Sequence, residues 1–383
     1  MRRSFRVLSV VLVGFGLSAA MADATPITGY SQTNLVSDLP GIAAVQDPNL
    51  QNPWGVSESA TSPLWISNQN AGVATLYTVN GLSATPAGGP LVVTVPTPTG
   101  QVNNSIGGVA TTSFVTNQSG TSVAAHFIFA SLNGNIYAWA AAPNPAALAA
   151  TGPAGASYTG LAIGGTTTAP LLYAANNAAG TVDVFNGSFQ LVARYSDPNL
   201  PANLVPFNVQ NIGGTIYVTY APAGHSAETT ATVGAVAILN PNGTFTTFST
   251  SSQLASPWGI ALAPAGFGQF SGDLLIGNFA YGNLSPLGGE INAYDPTDGN
   301  FLATLDSNSA WQGLWALTFG NGGSGGSPDI LYFTTGLNAE TDGLFAALSV
   351  PEPSTIAILG VGLLSLCALR RRRPLRLRDE AAG

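Results

Sequence analysis

The residues able to do chemistry are few. They are mostly oxygen donors set at the ends of apolar strands or in the loops between them. Asn68, Asn176 and Asn278 each close a short apolar run at matching places (Leu64-Trp65-Ile66-Ser67-Asn68, Leu172-Tyr173-Ala174-Ala175-Asn176, Leu274-Leu275-Ile276-Gly277-Asn278), as does Ser131. Glu290, Glu340 and Asp342 lie in or beside the following loops, with His225, Glu228, Tyr281, Asn283 and Asn338. A ring of amide and carboxylate oxygens could hold Ca²⁺, which takes about six to eight oxygen ligands. It could equally bind sugar hydroxyls, with Trp or Tyr as stacking surfaces. The plain alternative is that Asn suits strand ends and turns for backbone reasons.

Other chemistry is scarce. The two histidines do not form a pair with zinc-ligand spacing. His126 sits in the apolar stretch Ala124-Ala125-His126-Phe127-Ile128, and His225 sits in the loop Ala223-Gly224-His225-Ser226. No phosphate-binding loop occurs. No catalytic residue is assigned, and a binding role is favoured over an enzymatic one. Asp273, Asp329, Asp295 and Asp298 fall at turns, where a carboxylate accepts local backbone N–H groups. Asp183 alternates within a strand and is expected to face outward. Glu58 ends the first strand of the first repeat and is the nearest acidic residue to an inner-strand position.

These residues are positioned by a repeat. Six segments share a Gly- or Pro-led apolar strand, a second apolar strand, a Gly/Asn-rich loop, a third alternating strand and an Asn-Gly-type turn, at a spacing of about 47–57 residues. The inner strands are expected to begin at Pro53-Trp54-Gly55, Ile106-Gly107-Gly108-Val109-Ala110, Gly160-Leu161-Ala162, Pro206-Phe207-Asn208, Pro257-Trp258-Gly259 and Gly313-Leu314-Trp315. Short strands with turn chemistry and no helical period give an all-β, six-bladed β-propeller. The sixth segment stops after its third strand. The strand from Thr28 to Val36 is therefore expected to close the last blade and hide its edge. Trp54, Trp258 and Trp315 are expected to pack between blades, and Trp311 to be more exposed. The loops after the second strands are expected to surround the channel mouth.

Charge narrows the partners. The chain has no lysine, and of its ten arginines only Arg194 lies between residues 23 and 349, against 15 Asp and Glu there. Such a body offers phosphates no counter-charge, which excludes nucleic acid. The single cysteine, Cys367, lies in the C-terminal apolar run, so the body holds no disulfide.

Both termini carry addresses. Arg2, Arg3 and Arg6 precede an apolar stretch from Val7 to Ala20, and Ala20-Met21-Ala22 presents small residues to a signal peptidase. Residues 1–22 are thus expected to form a signal helix, cleaved before Asp23. At the other end stands the motif Val350-Pro351-Glu352-Pro353-Ser354. The uncharged run Ser354–Leu369 follows, roughly 24 Å long as a helix. Arg370, Arg371, Arg372 and Arg373 follow, then Arg376 and Arg378, a basic stop that holds this end in the cytoplasm. The organisation is a signal peptide (1–22), a propeller (23–349) and a sorting tail (350–378), the latter divided into a motif (350–354), a transmembrane helix (355–369) and a basic stop (370–378).

Residues 350–378 resemble the PEP-CTERM signal recognised by exosortase-type enzymes, and the blades resemble NHL and lactonase-like six-bladed propellers. The whole arrangement is similar to a family of PEP-CTERM propeller proteins. The resemblance implies an exported protein, held in the inner membrane by its C-terminal helix until an exosortase processes it, then placed at the cell surface or outside the cell. It also implies a link to exopolysaccharide. The expected function is a binding or scaffold module of the envelope or matrix, with polysaccharide as a partner. The alternative is a metal-dependent hydrolase or lactonase at the channel mouth.

Overall fold

A computed structural model describes residues 29–87, 91–224, 233–280, 285–307, 311 and 313–350. The expected signal helix, with Ala20 and Ala22, and the C-terminal helix and arginines lie outside these residues. Among the described residues no helix is long and apolar enough to cross a membrane.

The sheets follow from strand length and turn chemistry. Apolar runs of five to nine residues are joined by tight turns with Gly at positive φ, such as Gly81, Gly134 and Gly299. The main strands of each blade pair antiparallel in turn, giving six blades, of which blades 2 to 5 have four strands and blades 1 and 6 carry a short fifth. The inner strands, in blade order, are Pro53–Ser57, Pro98–Asn103, Tyr158–Thr166, Leu204–Ile212, Pro257–Leu262 and Leu314–Phe319. The chain is an all-β six-bladed propeller.

The ring is closed by its two ends. Ser31–Ser37 pairs antiparallel with Asp342–Ser349, with Gln32 opposite Leu348 and Ser37 opposite Leu344. The N-terminal strand thus becomes the fourth strand of blade 6 and removes a free edge. Ser37 Oγ donates to the carbonyl of Gly343 at 2.7 Å, and Asp38 Oδ1 accepts from the amide of Gly343 at 2.9 Å.

Blade 2 corrects the sequence reading. Its inner strand is Pro98–Asn103, whereas Ser105–Ile106 and Val109–Ala110 form a separate small hairpin. A second hairpin, Val115–Gln118 with Thr121–Ala124, precedes the next blade strand, Phe127–Ser131. The reason Pro98–Asn103 can serve is steric. A Cβ on Gly100 would lie 2.3 Å from the amide nitrogen of Leu161 in blade 3, so only glycine lets these inner strands approach so closely.

The core lies between blades, because both faces of each radial sheet are covered by neighbours. Asp183 shows the consequence. It is fully buried in blade 3, against the expectation that it faces outward. It accepts from Tyr158 Oη (3.0 Å), Asn176 Nδ2 (2.9 Å), Thr181 Oγ1 (2.7 Å) and Arg194 Nε (3.0 Å). The body's one arginine is therefore spent on a structural carboxylate. Asp183→Ala is expected to lower the unfolding free energy by about 3 kcal/mol, since it orphans buried donors around a removed charge. Chemical denaturation checks this, and an unchanged midpoint would contradict the burial.

Trp311, expected to be exposed, is buried, and its indole Nε1 donates to Gln32 Oε1 at 2.9 Å. His126 is exposed just before Phe127–Ser131 and meets Trp139 edge-on.

Candidate binding site in the propeller channel

The inner strands converge on an axis that is shut at one end and open at the other. Near the starts of these strands stand Trp54, Thr99, Thr159, Phe207, Trp258 and Trp315. Four of these are large aromatics, and Trp54, Phe207, Trp258 and Trp315 pack with Phe279 as one buried cluster. Trp54 stacks on Trp315 with ring centroids 3.7 Å apart, and Trp258 meets Trp315 edge-on at 5.7 Å. The indole N–H groups fix the plug: Trp315 donates to Asn52 Oδ1 (2.9 Å) and Trp258 to the carbonyl of Thr159 (3.1 Å). The three tryptophans meet across the axis as well as between neighbouring blades.

Beyond the plug, towards the C-terminal ends of the inner strands, the channel widens to a cavity of about 480 Å³. All six blades line it. The polar contributors are Ser57, Glu58, Gln101, Asn103, Ser105, Asn208, Gln210, Asn211 and Thr318, and the apolar ones include Val56, Val102, Ile163, Ile212 and Phe319. Leu262 and Gly213 at its rim are exposed, so this end is open. A cavity of this size is typical of a small-molecule site, and its lining is about half polar and half apolar.

Among the described residues, Glu58 is the only Asp, Glu, His, Arg or Tyr lining the cavity. No hydrogen bond or ion pair reaches it from the described residues, and burial pushes its carboxyl up to about 7. The sequence singled it out by position. The structure adds that the neutral channel leaves it without compensation.

Four amide groups of the lining donate to backbone carbonyls. Gln101 Nε2 donates to the carbonyls of Gly55 (2.8 Å) and Trp65, Asn103 Nδ2 to His126 (2.9 Å), Asn208 Nδ2 to Trp258 (2.9 Å) and Asn211 Nδ2 to Ile163 (2.7 Å). Gln101 Oε1 and Ser57 Oγ, by contrast, are buried without a partner.

The oxygen donors singled out from the sequence as metal candidates lie elsewhere, on the plugged side. Asn68 Nδ2 donates to Thr75 Oγ1 (2.8 Å) and Asn176 Nδ2 to Asp183 Oδ2 (2.9 Å), each reaching a residue seven positions on across the same turn. Asn278 accepts from the amide of Ala255 (3.0 Å) and donates to the carbonyls of Gln253 (2.8 Å) and Leu287 (3.1 Å). All three are fully buried ties within their blades. Glu290 lies near Asn292, and burial raises its carboxyl. Glu340 Oε2 accepts from Asn52 Nδ2 (3.0 Å). Asp342 accepts from Asn338 (2.8 Å) and Thr341 (3.0 Å), and these bonds lower its carboxyl. Glu340 and Asp342 share one loop, while the asparagines and Glu290 belong to other blades. Among the described residues no three His, Cys, Asp or Glu are gathered as a metal would require. His225, Glu228, Tyr281 and Asn283 lie outside the described residues.

At the C-terminus, residues 349–373 match the PEP-CTERM protein-sorting motif. The chain carries a PEP-CTERM sorting signal. That signal implies an exported protein, anchored in the membrane and then placed at the surface, with processing by an exosortase-type enzyme. Ser349 is the last residue of blade 6 and Val350, the first of the sequence motif, follows at once; Pro351, Glu352 and Pro353 lie outside the described residues.

The body is similar to two uncharacterized proteins of Acanthamoeba polyphaga mimivirus. One is 29% identical over 303 residues, covering 74% of this chain and 71% of the relative. The other is 27% identical over 339 residues, covering 82% and 84%. Among solved structures, a luciferin-regenerating enzyme superposes with a TM-score of 0.51 at 10% identity, covering 85% of this chain and 96% of that one. A streptogramin B lyase aligns at 0.49 and 13%, covering 84% and 97%. At such identity the likeness shows the fold alone.

Proposed function

We propose that the chain is an exported binding module of the cell envelope or its matrix, and that its ligand enters the open end of the propeller channel. The observation that carries this is the one-ended cavity of about 480 Å³, lined by all six blades and carrying amides, hydroxyls and a single acid. A tryptophan plug makes it a pocket rather than a pore. The sorting signal supports a surface address, where polyhydroxylated polymers are the abundant ligands. Amide and hydroxyl groups recognise sugar hydroxyls, and the apolar walls suit ring carbons.

A metal-dependent hydrolase at the same place would call on further carboxylates or imidazoles, and the cavity lining supplies Glu58 alone. A binding role is therefore the better supported reading. The test is a saccharide array probed with the full-length chain in detergent. Retention of saccharide fragments is the expected result, with no turnover of the bound material. Absence of retention across the array would overturn the carbohydrate reading.

A further inference from the structure

Glu58 stands alone among neutral groups just past the end of the blade 1 inner strand. Among the described residues it is the only Asp, Glu, His, Arg or Tyr lining the cavity, and none of them pairs with it. It is half-buried, so a ligand in the channel reaches it, whereas Gln101 Oε1 and Ser57 Oγ are closed off within the blades. The only charge that this lining develops is negative.

We propose that the channel pocket takes a ligand bearing a protonated amine, with Glu58 as its counter-ion. A primary ammonium presents a single positive charge and three N–H donors to that carboxylate. The apolar walls of Val56, Val102, Ile163 and Ile212 receive the carbon skeleton. An inorganic divalent cation fits less well, since one carboxylate would neutralise only half its charge. The inference rests on the channel being the binding site, and for a saccharide ligand it specifies an amino sugar.

Ligand and proton compete for one carboxylate. With Glu58 raised to about 7 in the empty pocket, binding of an amine that stays protonated tightens as pH rises from 6 to 8. The expected gain is about tenfold, following the ionised fraction. No other titratable group lines the cavity to blur that profile.

The experiment is calorimetric titration of the full-length chain in detergent with cyclohexylamine, cyclohexanol, glucosamine, glucose and CaCl₂, at pH 6 and pH 8. The expected result is that cyclohexylamine binds and cyclohexanol does not, with about tenfold tighter amine binding at pH 8. Glucosamine should exceed glucose at pH 6, where its amine is charged. Glu58→Gln, which keeps the shape and removes the charge, should abolish the pH dependence and weaken the amine at least tenfold. Glu58→Asp, which keeps the charge and withdraws it by one methylene, should weaken it several-fold while keeping the pH dependence, and serves if the first variant does not fold. Equal binding of amine and alcohol, or amine binding unchanged in Glu58→Gln, overturns the proposal. So does displacement of bound amine by Ca²⁺ at equimolar concentration. If saccharides bind without preference for the amine, this inference falls and the carbohydrate reading stands. If amines bind through Glu58 and saccharides do not, the reverse holds.

Discussion

Replacing Trp315 by alanine is expected to cost about 3–5 kcal/mol of stability and to turn the pocket into an open pore. The side chain is fully buried. It lies within 3.7 Å of Trp54 and 4.1 Å of Phe279 by ring centroid, with Phe207 and Trp258 beside it. Large-to-small substitution in such a cluster loses transfer energy and leaves a cavity that its neighbours fill only in part. It also orphans Asn52 Oδ1, which accepts the indole N–H. Four of the plug's aromatics come from the inner strands of four blades, each fixed by its own sheet, so collapse around the gap is limited. Denaturant unfolding measures the first effect. The second is read by a thiol probe: with the lone native Cys367 replaced by Ser, a cysteine at Ser57 should react faster in the Trp315→Ala background. A stability change below about 1 kcal/mol would show that the aromatics are not a shared plug.

The second large effect is a pH dependence of stability carried by Glu58. Burial raises its carboxyl from the ordinary 4.5 to about 7, so the folded state holds a proton that the unfolded chain releases near 4.5. Between these values the folded state binds more protons, and stability falls as pH rises. The contribution is fully present below about 4.5 and is lost as pH climbs through 7. One unit is about 1.4 kcal/mol, so the span is on the order of 3 kcal/mol. Other buried carboxylates titrate too: Asp38, beside Asp342 at the ring closure, is also raised, to about 6. The Glu58 part is isolated by comparison with Glu58→Gln, whose unfolding free energy should overtake that of the natural chain above pH 7. Parallel profiles for the two proteins from pH 4 to 9 would contradict this.

Much of the fold is legible in the sequence because propeller blades write themselves locally. Apolar alternation marks strands, Asn-Gly and Gly turns mark hairpins, and the missing fourth strand of blade 6 points to the N-terminus. Blade 2 misleads because its inner strand, Pro98-Thr99-Gly100-Gln101-Val102-Asn103, has one strongly apolar residue, while Ile106 and Val109 nearby look more like a strand. The signal available was an aromatic or threonine followed by a small residue: Trp54-Gly55, Thr99-Gly100, Thr159-Gly160, Trp258-Gly259 and Trp315-Ala316. Blade 4 departs from it with Phe207-Asn208, and there Gly160 of blade 3 supplies the space.

The site is less legible. Polar residues crowd the loops after the second strands, which drew attention to that side, yet there the tryptophans shut the channel. Three tryptophans at matching strand starts converge in a ring, and that geometry is fixed only by closure. Asp183 was misjudged for a related reason: alternation separates two faces, but in a propeller both faces are covered by neighbouring blades.

The central claim, that the open channel end is where the ligand binds, is tested most directly by filling it. Thr318 is half-buried on the blade 6 inner strand and lines the cavity. Calorimetry with the tightest ligand from the array, run on the natural chain and on Thr318→Trp, should show loss of at least tenfold in affinity with an unchanged melting temperature. Undiminished binding by the filled channel would place the ligand elsewhere and contradict the account.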